Sequence, residues 1–381
     1  MNSFLKQLPD LKSQILQGRY MTYPKIERLL SDFDSKQVGA SAKGLPINML
    51  TLGTGPIKVL MWSQMHGNES TSTKGIMDMM YFLAANPTLL APFTIQVIPM
   101  LNPDGAAAYT RVNANAVDLN RDAQQQSQPE TRALFEVYDT FQPDYCFNLH
   151  DQRTLFGVDD NPCILSFLSP AADAGKSITK AREQAMGIIG YINEQLQQQL
   201  SNQVGRYDDT YNPNCVGDCF QAKGTPTLLF ECGQSGQDYG RIATRKWFGF
   251  SVVAALHCIA NNVFMPTAYH RIPEVEKSYV DVLIHHVPDH ESQISLAVQY
   301  EEKLNSGRIT FEPTLHSKGD LSQLNAHKTI DLRKHNSIDF GSFEDAALEK
   351  VLKSKEKYVL DAQTVEQDRK NIAETYAVMG R

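Results

Sequence analysis

The sequence predicts an α/β protein with a central, mostly parallel mixed sheet flanked by helices and a smaller C-terminal accessory region. Three observations predict it. Four short apolar runs have the length and residue types of buried strands: "IKVLMWSQM" (57–65), "FTIQVIPML" (93–101), "DYCFNL" (144–149) and "PTLLFEC" (226–232). Helical segments separate several of them, notably "STKGIMDMMYFLAAN" (72–86) and "ITKAREQAMGIIGYINEQLQQQL" (178–200), and such alternation is the pattern of a largely parallel sheet. Finally, a polar residue closes each run (His66, Asn102, His150 and Glu231), at the strand ends where ligands gather in sheets of this kind.

The remaining elements follow in chain order. Up to about residue 37, apolar residues at helical spacing (Phe4, Leu5, Leu8, Leu11, Ile15, Leu16, then Ile26, Leu29, Leu30) predict two helices leading into the core. The most apolar window, "WFGFSVVAALHCIANNVF" (247–264), is interrupted by His257 and two asparagines, so it reads as a buried helix rather than a membrane span. Beyond residue 266 the texture changes. "YVDVLIHHV", "ISLAVQY" and "RITFEP" read as strands, and "FEDAALEKVLKSKEKYVLDAQ" as a charged helix. The expected division is a catalytic domain over 1–265 and a small accessory α+β region over 266–381.

Bulk properties narrow the function. The 381 residues can bury a sizeable core, and 42% hydrophobic with 21% charged residues is ordinary for a globular protein. A net charge of −7 lacks the basic face that nucleic acid requires. "MNSFLKQLPDLKSQILQGRY" places a lysine, a proline and an aspartate where the apolar stretch of a secretion signal would lie. The six cysteines are scattered, and the one close pair, Cys215 and Cys219, reads as two reduced thiols in a loop. These features predict a cytoplasmic protein without a membrane or nucleic-acid partner.

The chemistry starts at "HGNE" (66–69). Catalytic zinc takes three protein ligands of histidine or carboxylate type and leaves a fourth position open. His66 and Glu69 offer two on a turn where a three-residue spacing brings both side chains to one point, and His150 offers a third. Each has a plain alternative, a polar residue hydrogen-bonded at a strand end. The material between them adds weight. "MLNPDGAAAYTRVNANAVDLNRDA" (100–123) carries Arg111, Asp118, Asn120 and Arg121. Two arginines beside a metal suit a site that holds an anion and stabilises growing negative charge, because a guanidinium meets a carboxylate as a fork. Cys232, beside Glu231, reads as an inert buried thiol. His285 and His286 read as structural or surface residues.

In the order "HGNE", "NPDG…R.N….VDLNRD", "LH", "LLFECG", the chain resembles the zinc carboxypeptidases over roughly residues 20–250. The resemblance implies one zinc ion held by His66, Glu69 and His150, with Asp118 orienting the first histidine. It further implies that Asn120 and Arg121 anchor the substrate's terminal carboxylate, that Arg111 polarises the scissile carbonyl, and that Glu231 is the general base. The implied function is a metallocarboxypeptidase releasing C-terminal residues from peptides. The alternative is an N-acyl-amino-acid deacylase of the aspartoacylase and succinylglutamate desuccinylase type, which shares the H-x-x-E…H plan and the Asn-Arg pair. Two departures bear on specificity. The family's substrate-covering tyrosine has three possible counterparts here, Tyr207, Tyr211 and Tyr239, and the residue after His150 is acidic, in "HDQR" (150–153).

Overall fold

The N-terminal helices form where the apolar spacing places them, but Pro9 shortens the first. In the computed structural model, which describes residues 2–289, 292–331, 333 and 358–359, α1 (Asn2–Gln7) breaks into two 3-10 turns before α2 (Tyr23–Leu30). A strand, β1 (Asp34–Ala40), already begins inside the stretch expected to be helical, and it forms an antiparallel hairpin with β2 (Pro46–Leu52).

From there strands and helices alternate as expected: β3 (Ile57–Ser63), α3 (Thr71–Ala85), α4 (Pro87–Leu90), β4 (Phe93–Ile98), α5 (Pro103–Ala108), α6 (Pro129–Phe141) and β5 (Tyr145–Asp151). A small hairpin, β6 (Gly157–Val158) and β7 (Asn161–Pro162), precedes β8 (Leu165–Leu168) and α7 (Lys180–Leu196). Next come β9 (Val204–Arg206), α8 (Val216–Ala222), β10 (Thr227–Cys232), α9 (Ile242–Asn261) and α10 (Pro266–Tyr269).

The main sheet has eight strands in the order β1-β2-β4-β3-β5-β10-β8-β9. Its centre, β4-β3-β5-β10, is parallel throughout, while β1, β2 and β8 pair antiparallel towards the edges. Both faces of the centre are covered, which is why its strands read as continuous apolar runs. Val59, Met61, Phe147, Leu149, Leu228 and Phe230 pack beneath α3, α7 and α9. Their alternates Leu60, Trp62, Ile98 and Cys146 pack beneath α6 and α8. Among the described residues, no helix is long and apolar enough to cross a membrane; α9 is instead a core helix with Phe248, Val252 and Ala255 buried.

The C-terminal region is a five-stranded sheet in the order β14-β11-β12-β13-β15, formed by β11 (Tyr279–Asp289), β12 (Ser292–Asn305), β13 (Arg308–Gly319), β14 (Asn325–Asp331) and β15 (Tyr358–Val359). The three expected strands lie in β11, β12 and β13. The charged helix expected over 343–363 lies outside the described residues, except that Tyr358–Val359 pair as a strand with β13. Just past residue 265, α10 packs back on α7, with Tyr269 and Ile272 in the main core. Gly190 of α7 allows this close approach, since a Cβ there would meet the Met265 carbonyl oxygen at 2.1 Å.

A buried ion pair ties the N-terminal segment to this core. The Arg245 guanidinium donates to both Asp78 oxygens (2.7 and 2.6 Å) and to the carbonyls of Leu16 and Ser13. Removing one partner leaves a buried charge uncompensated, at about 3–5 kcal/mol. Asp78→Ala is therefore expected to lower the unfolding free energy by about that amount in a urea titration. An unchanged midpoint would show the pair to be dispensable.

Candidate functional site

The site is built on the carboxyl ends of the four parallel central strands. After β3 the chain turns sharply, with Gln64 in the left-handed region (φ 49°). The Gln64 amide donates to the carbonyls of Met21 and Gly67 (3.0 and 2.8 Å), and the Glu69 amide closes the turn on the His66 carbonyl (3.1 Å). The glycine of "HGNE" has a steric cause: a Cβ at Gly67 would lie 1.9 Å from the Gly105 carbonyl carbon. Gly105 belongs to "NPDG", which opens α5 after β4. Asn102 joins the two motifs, its Nδ2 donating to the Met65 carbonyl (3.0 Å) while its Oδ1 accepts from the Gly105 amide (2.8 Å).

His66, Glu69 and His150 meet at one buried point, and among the described residues they are the cluster able to hold a metal ion. The Nδ1 atoms of His66 and His150 each lie 2.8 Å from a Glu69 oxygen and 3.1 Å from each other. His66 presents its other nitrogen, Nε2, to Asp118 Oδ1 at 3.0 Å. With the proton on Nε2 donated to Asp118, Nδ1 is left with a free lone pair, the form in which imidazole binds a metal. Against the upward pull of burial, the two imidazoles hold the Glu69 carboxyl well below the ordinary range. Burial lowers His150, while Glu69 and Asp118 overcome burial and raise His66. Two neutral nitrogens and one carboxylate fit the donor set of a catalytic zinc site.

Glu231 stands opposite on β10, paired in register with His150 on β5. The side chain is half-buried, and its Oε2 is sealed from solvent without a hydrogen-bond partner among the described residues. Burial first, then repulsion from Glu69 and Asp151, pushes this carboxyl well above its usual value. Behind it, Arg241 links the two strand ends by donating to the carbonyls of Cys232 and Gln152, both at 2.7 Å.

Asp151, the acidic neighbour of His150, is buried and engaged by backbone amides. Its carboxylate accepts from the Thr71 and Ser72 amides (2.7 and 2.9 Å), satisfying the first turn of α3 just after Glu69. Sequence reading missed this role; an acidic residue two strands from an uncapped helix start gives no local signal.

Arg111 is half exposed. Its Nε donates to Asp118 Oδ2 (3.0 Å) and its Nη1 reaches Glu69 Oε1 at 3.4 Å, so it borders the metal cluster. Asp118 accepts from both His66 and Arg111, and these contacts outweigh burial to hold it well below the ordinary carboxylate range. Asp118 also caps the short 3-10 turn that carries Asn120 and Arg121, accepting from the Asn120 amide (2.9 Å). Asn120 Oδ1 accepts from the Val216 amide (3.0 Å) at the start of α8, and exposed Arg121 donates to Cys215 Sγ at 3.2 Å. Cys215, the last loop residue and N-cap of α8, and Cys219, within that helix, are free thiols, and burial pushes Cys215 up to about 11.

The three tyrosines part company. Tyr239 is buried against the C-terminal sheet and donates to Asp281 (2.8 Å). Tyr207 donates to Gln152 Oε1 (2.9 Å), two residues from His150, and its hydroxyl is raised by burial and then by the charge of Glu231. Tyr211 lies partly exposed on the loop ahead of α8.

The zinc carboxypeptidase family model matches residues 23–307, and the chain belongs to that family. Over 163 residues it is 28% identical to carboxypeptidase 2 of Trichophyton tonsurans, covering 40% of this chain and 28% of that protein. The match thus spans less than a third of that relative's length. A metallo-carboxypeptidase from Pseudomonas aeruginosa superposes with a TM-score of 0.50 at 16% identity, over 63% of this chain and 68% of that one. Bovine thrombin-activatable fibrinolysis inhibitor does so with a TM-score of 0.50 at 13% identity, over 64% and 97%. The two structures share the fold.

The contact between Gly67 and Gly105 makes the ligand turn intolerant of any side chain. Gly67→Ala is expected to destabilise the protein by about 1–3 kcal/mol, as for other overpacked sites. Denaturant unfolding measures this, and parental stability would refute the role given to the backbone contact.

Proposed function

We propose that this member of the zinc carboxypeptidase family is a zinc-dependent hydrolase that cleaves an amide bond next to a free carboxylate, releasing C-terminal residues from peptides. The convergence of His66 Nδ1, His150 Nδ1 and the Glu69 carboxylate carries the reading. These three residues would hold one Zn2+, with Asp118 fixing the orientation of the His66 ring. When bound, the ion would supply a water whose pKa is lowered to about 7 and an electrophile for the scissile carbonyl.

The chain's own residues do the rest. Asn120 and Arg121 bind the terminal carboxylate, the guanidinium as a two-pronged donor. Arg111 donates to the carbonyl oxygen as negative charge grows on it. Glu231 takes the proton of the attacking water and passes it to the leaving amine, and its raised pKa brings it nearer the working range of a general base. In this reading residues 1–265 carry the chemistry and 266–381 form an accessory region whose first turn packs on α7. Six free thiols support a cytoplasmic setting, where small peptides are the fitting substrates.

The test is an assay of purified protein with di- and tripeptides, using N-acetyl-aspartate and N-succinyl-glutamate as comparators. Release of the C-terminal residue that stops with chelator and returns with zinc is expected. Cleavage of the N-acyl amino acids alone would overturn the peptidase reading. Arg111→Ala is expected to lower kcat by about 100- to 1,000-fold with KM little changed, as for loss of one donor to the oxyanion. Glu231 must be ionised to act, so kcat/KM falls as acid protonates it, with a midpoint above the usual glutamate value of about 4.3. Glu231→Asp keeps such an acid limb, whereas Glu231→Gln leaves only a background rate.

A further inference from the structure

Arg111 is a long, half-exposed side chain whose partners, Asp118 and Glu69, belong to the site itself. Its backbone position is fixed from elsewhere. Two residues earlier, Tyr109 ends α5 in the left-handed conformation (φ 56°, ψ 45°) and turns the chain out towards Arg111. That conformation is strained for a residue with a Cβ, so something must hold it. The Thr110 amide bonds back to the Gly105 carbonyl (2.9 Å), and Tyr20 donates to the Ala107 carbonyl (2.7 Å). The Tyr109 ring is buried with Val282, Val298, Tyr300, Ile309 and Phe311 of the C-terminal sheet. Its hydroxyl donates to Glu302 on β12.

Glu302 reaches the ligand turn as well. Both its oxygens accept from buried Arg19 Nη2 (2.9 and 3.0 Å), and the Arg19 carbonyl accepts from Ser70 (2.6 Å), the residue after Glu69. We propose that Glu302, from the C-terminal sheet, is a positioning residue for Arg111, acting through the Tyr109 hydroxyl. The inference rests on the reading of Arg111 as the group that stabilises charge on the carbonyl oxygen. It gives the five-stranded sheet a part in catalysis although the functional reading assigns none of its residues to the metal or the substrate. The sheet supplies the fixed end of the lever on which Arg111 is mounted.

Tyr109→Phe in the full-length, zinc-loaded protein tests this, since it removes only the hydroxyl and leaves the Arg19–Glu302 pair in place. Peptide hydrolysis is expected to show kcat lowered by about 10- to 100-fold, the scale of a misplaced catalytic group, with KM unchanged. The same substitution in an Arg111→Ala background is expected to lower kcat no further, because the displaced group is already gone. Amide hydrogen exchange over 109–117 is expected to rise while that of α7 stays at the parental rate. Glu302→Ala should reproduce the kcat effect. Parental kcat and parental exchange in Tyr109→Phe would overturn the proposal, as would an equal loss in the Arg111→Ala background. A parent that releases no C-terminal residue would instead overturn the functional reading on which the proposal rests.

Discussion

Two imidazole nitrogens 3.1 Å apart, both facing one carboxylate in a buried pocket, are the constraint around which this protein is organised. Lone pairs so arranged repel one another, and burial removes the water that would otherwise screen them. A proton relieves one pair only, whereas a divalent cation relieves all three donors at once. Keeping this arrangement ready requires that each donor be prevented from turning away. Asp118 pins His66 from behind. Glu69 sits between the closed "HGNE" turn and the capped start of α3. His150 lies within β5, in register with Glu231.

The supports are mostly backbone contacts, and that explains the glycines. Gly67 and Gly105 let two motifs from neighbouring strand ends touch, and Asn102 stitches them together. Arg241 and Asp151, both buried, serve carbonyls and amides at the ends of β5, β10 and α3. Burial, then the charges of Glu69 and Asp151, raise Glu231, whereas the two imidazoles overcome burial and hold Glu69 low, so the two glutamates of the site are pushed in opposite directions. The C-terminal sheet continues this logic by gripping the segments that flank the centre. Asp281 and Gln299 bond Thr154 on the loop after His150, and Glu302 bonds Tyr109 ahead of Arg111.

The four central strands were legible because both of their faces are buried, so their composition is apolar without interruption. The polar residue ending each run stands out against that background. The edge strands were not legible for the converse reason. β1 is largely exposed and reads "DSKQVGA", and β8 and β9 are four and three residues long. The residues of the candidate site stood out through the resemblance carried by four quoted motifs in one order, and of them the fold brings His66, Glu69 and His150 to one point. The bonding of Asp151 to the start of α3 was not legible because its partners, the Thr71 and Ser72 amides, are 80 and 79 residues away. The covering tyrosine could not be chosen from sequence, since a loop's path decides it; Tyr239 is committed to the C-terminal sheet, which only the fold reveals.

The most direct measurement is anomalous scattering at the zinc edge from crystals of the full chain grown with one equivalent of zinc. The account predicts a single peak bounded by His66 Nδ1, His150 Nδ1 and the Glu69 carboxylate, with Asp118 still on His66 Nε2. A peak at other residues, or protein that takes up no zinc at this cluster, would contradict it.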